Sequence, residues 1–137
     1  MNRIRHRSLI QLGILVLALA MTPLVVSGQA SAAGSIVLTN ADSARSVDTK
    51  VGNDVEVRLN RYRENGITYT WHLPEAGDSS VLPRMSAGVT RTGDAVAVFR
   101  ADIPVDSVIT VRRTCHPDPN RDCPAVMLPW KAAVRVR

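Results

Sequence analysis

Residues 67–73 read I-T-Y-T-W-H-L. Ile67, Tyr69, Trp71 and Leu73 fall on one phase of a two-residue period, with Thr68, Thr70 and His72 on the other. That alternation is the mark of a strand with one face on a core. It recurs in V-E-V-R-L (55–59), where Val55, Val57 and Leu59 oppose Glu56 and Arg58. Runs rich in β-branched residues predict further strands at 35–39, 94–101, 107–114 and 132–137. Between them stand turn signals at 51–54, 65–66, 74–80, 92–94 and 102–106, and no segment carries a helical period. Six or seven short strands in one chain predict an all-β fold, an antiparallel β-sandwich.

The first thirty-odd residues follow different rules. Arg3, Arg5 and Arg7 precede an apolar run from Leu9 to Val26, and S-G-Q-A-S-A-A (27–33) supplies small residues at Ala30 and Ala32. This is the pattern of a secretory signal peptide over residues 1–32. The domain proper is then 33–137, about the size at which one core forms. Removing three of seventeen basic residues and none of twelve acidic ones leaves a net charge of +2 in place of +5. No basic stripe interleaved with aromatics remains, which argues against nucleic acid as a partner. The expected location is secreted or periplasmic, with no membrane attachment after cleavage.

Both cysteines, Cys115 and Cys123, lie in the exported part. An even count in an oxidising compartment predicts a disulfide closing C-H-P-D-P-N-R-D-C, stabilising by about 2–3 kcal/mol. A zinc site built on Cys115, His116 and Cys123 lacks a fourth ligand. The ring begins a proline-rich loop holding Pro117, Pro119, Pro124 and Pro129, where a sheet ladder is disfavoured.

Catalytic constellations are absent from the motif pattern: no G-x-S-x-G, no H-E-x-x-H, no phosphate loop, and only His72 and His116 beyond the leader. An enzyme is therefore not expected, and no cofactor or metal is implied. Of five aromatic residues, Tyr69, Trp71 and Phe99 read as core. Trp130, after Pro129 at the end of the long loop, reads either as a ring covering the core or as an exposed anchor for a partner.

The order of features resembles the chagasin-type inhibitors of papain-like cysteine proteases. These are immunoglobulin-like β-sandwiches with an N-P-T-T-G-Y/F-x-W loop, a glycine-rich loop and an R-P-W/F loop gathered at one end. Here the first survives as Glu64, Asn65, Gly66, Ile67 and Thr68 followed by Tyr69-Thr70-Trp71, the second as Thr92-Gly93, and the third as Leu128-Pro129-Trp130. Ring 115–123 is an insertion in the third. The resemblance spans residue 36 to the end and implies an immunoglobulin-like sandwich of about seven strands. It further implies a monomeric inhibitor whose three loops fill the cleft of a papain-like cysteine protease. Replacement of the family's threonines by isoleucine and glycine keeps a rival open: a secreted immunoglobulin-like module that binds another protein or an envelope component.

Overall fold

In the computed structural model, which describes residues 34–137, the stretch around Val57 is strand β3 (Asp54–Leu59), with Val55, Val57 and Leu59 buried. The signal peptide and its cleavage site lie outside the described residues. β3 pairs in parallel with β1 (Ser35–Leu38) and antiparallel with β8 (Ala95–Arg100). β7 (Arg84–Val89) completes a sheet of order β1-β3-β8-β7. Facing it is a second sheet of order β2-β11-β9-β6, made by β2 (Ser46–Thr49), β11 (Trp130–Val136), β9 (Asp106–Val111) and β6 (Glu75–Ala76). Inward residues of both sheets, Phe99, Leu38, Ile109 and Val134 among them, share one core. The sandwich expected from the alternation is present, and the two strands nearest the N-terminus join it in parallel.

A third, three-stranded sheet has the order β10-β5-β4, from β10 (Arg113–Pro117), β5 (Ile67–Trp71) and β4 (Tyr62–Glu64). Only Arg112 separates β9 from β10, and only residues 72–74 separate β5 from β6. The His72 N–H donates to the Arg112 carbonyl across that gap at 2.9 Å. The second sheet thus continues past the body as a blade at one pole of the sandwich.

Several sequence expectations need correction. The strand at 67–73 stops at Trp71 because Pro74 follows, and Leu73 is exposed. The proline-rich loop is shorter than its composition suggests. β10 runs on to Pro117, which the sheet tolerates because β10 is an edge strand and needs no donor on its free side. At the other end Trp130 is already the first residue of β11. β7 was invisible to pattern reading, since R-M-S-A-G-V has no alternation and five of its six residues are exposed.

The turn signals are real. Asn65 and Gly66, at φ 50° and 74°, are the two central residues of the β4–β5 hairpin, in which Glu64 faces Ile67. Positive φ at both positions defines the tight turn for which Asn-Gly is selected. The β7–β8 connection closes with Gly93 N–H on the Thr90 carbonyl at 3.1 Å, and Gly93 has φ 99°. A Cβ at Gly93 would lie 2.6 Å from the Thr70 Cβ, so both dihedral and space demand glycine. Gly93→Ala is expected to destabilise by about 2 kcal/mol or more in denaturant unfolding. Adding Thr70→Ser should restore part of that loss by removing the clashing methyl; no loss in the single variant would refute the steric account.

Candidate functional site

The strand ends explain what gathers at the pole. β1 and β3 run parallel, so Thr39 and Asn60, one residue past each, emerge together. Two tryptophans close the core beneath them. The Trp71 indole N–H donates to the Asn60 carbonyl at 2.9 Å, and the Trp130 indole N–H to the Thr39 carbonyl at 3.1 Å. The chain leaving β1 is held by Asp42. Its carboxylate accepts from the Thr39 N–H at 2.7 Å and the Thr39 hydroxyl at 3.2 Å, and it pairs with Arg45. The Thr39 amide bond, more than Arg45, holds the Asp42 carboxyl below its ordinary value.

On the blade, Tyr62 and Tyr69 face each other across the β4–β5 ladder and stack at 4.8 Å between centroids. The Arg113 guanidinium lies 5.0 Å over the Tyr69 ring and donates to the Tyr62 hydroxyl. Burial pushes the Tyr62 phenol above its ordinary value, with Arg113 working against the shift. The opposite face is polar: Thr70 bonds His116 at 2.8 Å, and His72 bonds Thr114 at 2.6 Å. These contacts place both histidines on structural hydrogen bonds; His116 is exposed, yet it belongs to β10 as well as to the ring.

The disulfide joins Cys115 on β10 to Cys123, and its ring lies against the hairpin tip. The Asp118 N–H donates to the Gly66 carbonyl at 2.9 Å, Asp118 pairs with Arg63, and the Arg121 side chain covers Gly66. From Cys123 the chain returns through Pro124–Pro129, with Val126 73% and Leu128 71% exposed.

The glycine turn and the Leu128-Pro129 segment both meet β5 near Trp71, at the base of the blade, while the tip at 64–66 lies against the ring. The Gly93 carbonyl accepts the Trp71 N–H at 2.9 Å, which docks the glycine turn on β5. Leu128 and Pro129 stand with Tyr62, Trp71 and Arg113 around one cleft. Within each segment, accessibility divides the candidates. Glu64, Asn65, Thr92 and Leu128 are exposed; Gly66, Thr68, Gly93 and Pro129 are half-buried. Ile67, Tyr69 and Trp130 are buried, at 7%, 6% and 2% exposure. Trp130 as an exposed anchor is corrected: its ring covers the core. Ile67 and Tyr69 likewise present no surface to a partner, because the inward phase of β5 is covered. Residues 64–68 are a two-residue hairpin with its flanks, and a broad loop is not present there. The missed surface is Pro124–Met127, the uncharged run P-A-V-M beside a ring of charges, with Pro124, Ala125 and Val126 exposed and Met127 half-buried. Among the described residues no group of three His, Cys, Asp or Glu side chains is placed to hold a metal.

No protein-family model matches the sequence, and no curated protein sequence does. The fold is similar to that in the crystal structure of EhICP2, a cysteine protease inhibitor from Entamoeba histolytica. The TM-score is 0.51 at 8% identity, covering 76% of this chain and 96% of that one. The solution structure of amebosin aligns with a TM-score of 0.48 at 11% identity, over 77% of this chain and 100% of amebosin. At the level of fold, the chagasin-type resemblance drawn from the sequence holds.

Trp130→Ala should cost roughly 3–5 kcal/mol, the range for deleting a buried aromatic, and should leave the Thr39 carbonyl with the Asp42 N–H as its remaining donor. Denaturant midpoints measure this; a loss under about 1 kcal/mol would return Trp130 to the surface. A pH effect follows from Asp118, whose carboxyl is held below its ordinary value chiefly by the hydrogen bond from Arg63. The folded state then binds the proton less readily than the unfolded chain. The contribution is present above the unfolded value near ~3.9 and lost as pH falls through the lower folded one. Exchange protection of the Asp118 amide, corrected for intrinsic rate, should fade in that window, and Asp118→Asn should flatten the dependence.

Proposed function

We propose that the chain is a secreted or periplasmic, monomeric, reversible inhibitor of papain-like cysteine proteases. The observation that carries this reading is a blade with a tight hairpin tip at its far end and a glycine turn and a proline-bracketed apolar segment packed at its base. The fold shared with an inhibitor of cysteine proteases supports it.

The pole has the physical properties such a role requires. Glu64, Asn65 and Gly66 form a narrow tip that can enter a cleft. With φ positive at Asn65 and Gly66, the tip cannot be laid out as an extended strand, the form in which peptides add to a binding surface. A bound tip therefore resists cleavage. Leu128 and Val126 supply the apolar contact that the buried Trp130 cannot, and the rim charges of the ring add little to affinity. Stiffening by the disulfide and by two prolines lowers the entropy lost on docking.

One observation favours the rival, a binding module for another protein or envelope component. The ring engages the Gly66 carbonyl through Asp118 and covers Gly66 with Arg121, so one flank of the tip is already occupied. Titration of papain and of a cathepsin with the oxidised protein separates the two. The expected result is stoichiometric, dilution-reversible loss of activity, with Leu128→Asp weakening inhibition at least tenfold at unchanged Tm. An oxidised, cooperatively folding sample that inhibits neither protease transfers the case to the binding module.

A further inference from the structure

The cleft at the pole has a volume of about 370 Å³, within the range of roughly 300–1,000 Å³ typical of small-molecule sites. Tyr62, Leu128 and Pro129 line it, with the buried Trp71 and Trp130 beneath. Both indole N–H groups are already given to backbone carbonyls. At 6% and 2% exposure the tryptophans form an apolar floor and offer a ligand no polar group.

Polar character in the cleft is one-sided. Asn40 lines it, but its side chain is used at both ends by Asn60, donating to the carbonyl at 2.7 Å and accepting from the amide at 2.8 Å. Ser43 contributes an exposed hydroxyl at the mouth. The remaining group is Arg113, and no lining residue is acidic. Six other arginines in the described residues pair with a carboxylate, each with a side chain 45–62% exposed. Arg113 is half-buried and has no carboxylate partner among the described residues. Its Nη1 donates to the Tyr62 hydroxyl, its face rests on Tyr69, and its buried Nε has no acceptor. A cation taken partly out of water, with only a ring face and a phenol for company, is incompletely compensated. An anion brought into the cleft would complete it by a charge-assisted hydrogen bond in a low-dielectric setting.

We propose that this cleft binds an apolar carboxylate, a carboxyl group carried on a ring or branched chain. The apolar part lies against Tyr62, Leu128 and Pro129 above the tryptophan floor, and the carboxylate faces Arg113 with Ser43 as a second donor. A free organic acid and the C-terminal residue of a peptide share this chemistry. The site stands on Arg113 and the apolar lining and does not depend on protease inhibition.

The chain contains two tryptophans, and both line the cleft, so intrinsic fluorescence reports occupancy directly. The domain of residues 34–137, which holds a core of its own, is titrated with 3-phenylpropionate, its neutral amide, acetate, and a tripeptide ending in phenylalanine with a free or amidated terminus. The expected result is a saturable change with the acid, at least tenfold weaker binding of the amide, and no effect of acetate. Binding by the free-ended tripeptide alone identifies chain ends as the source of the same chemistry. Arg113→Met should weaken the acid at least tenfold while leaving the amide unchanged. If that variant does not fold, Ser43→Asp, an exposed change that sets a like charge at the mouth, should do the same. Equal binding of acid and amide, no binding of any carboxylate, or indifference to these substitutions would overturn the site.

Discussion

Two indole N–H groups decide how this sandwich closes. Trp71 comes from the blade and Trp130 from the first position of β11, and each donates to a carbonyl one residue past the end of a strand in the opposite sheet. Each carbonyl keeps a second donor, the Asp42 N–H on Thr39 at 3.0 Å and the Asn40 side-chain amide on Asn60 at 2.7 Å, so the indoles add a bond to groups already paired. What the tryptophans add is a link to these two strand ends from the other side of the core, which their rings cover in the same act. The chain beyond β1 is then turned by Asp42 into the rim of the cleft.

Everything distinctive at the pole is built on that closure. Because β5 and β10 are continuations of strands already fixed in the second sheet, the blade inherits its direction from the body. Its own cohesion comes from Tyr62 stacked on Tyr69 and from Arg113 laid over the pair, contacts worth about 0.5–1.5 kcal/mol each beyond their buried area. The ring then adds a second layer of constraint, joining the hairpin turn to Asp118 and the strap to β10. The pole is held by side-chain packing, a covalent bond and two prolines together, which is how a surface far from the main core stays ordered.

The fold was legible in the sequence wherever one strand face is buried and the other wet. β3, β5, β8, β9 and β11 all alternate, and all five carry the core. The glycine turns were legible because positive φ leaves few residue choices. β7 was not, since a strand exposed on both faces has no reason to alternate. The site was readable as segments, with Tyr69 as core and a core-covering Trp130 among the readings, while Ile67 as a contact residue was not upheld. Ile67, Tyr69 and Trp130 were placed correctly in order along the chain, but alternation does not say which phase a neighbouring segment covers. Tyr69 is covered by Tyr62 and Arg113, and Leu128 and Pro129 stand beside Trp71 and Trp130, side chains brought together from distant strands with no local pattern. The same reason hid the cleft: its lining comes from residues 40–43, 62, 71, 113 and 128–130, which no single motif joins.

The burial of Trp130 changes where recognition energy can come from. A tryptophan in a loop binds a partner by moving its own ring out of water, whereas a tryptophan already in the core has spent that contribution on folding. What remains outside is aliphatic: Val126 and Leu128, two residues apart on a segment bracketed by Pro124 and Pro129. Full burial of such side chains gives about 1.5–3 kcal/mol each, less than a large aromatic anchor supplies. The loss is offset by rigidity, since a strap fixed at both ends gives up little backbone freedom on docking, against about 1–2 kcal/mol for each residue of a flexible loop. A surface of this kind selects partners by shape. It rewards a cleft that fits the tip and strap as they stand, and it has little mobility with which to adapt to any other.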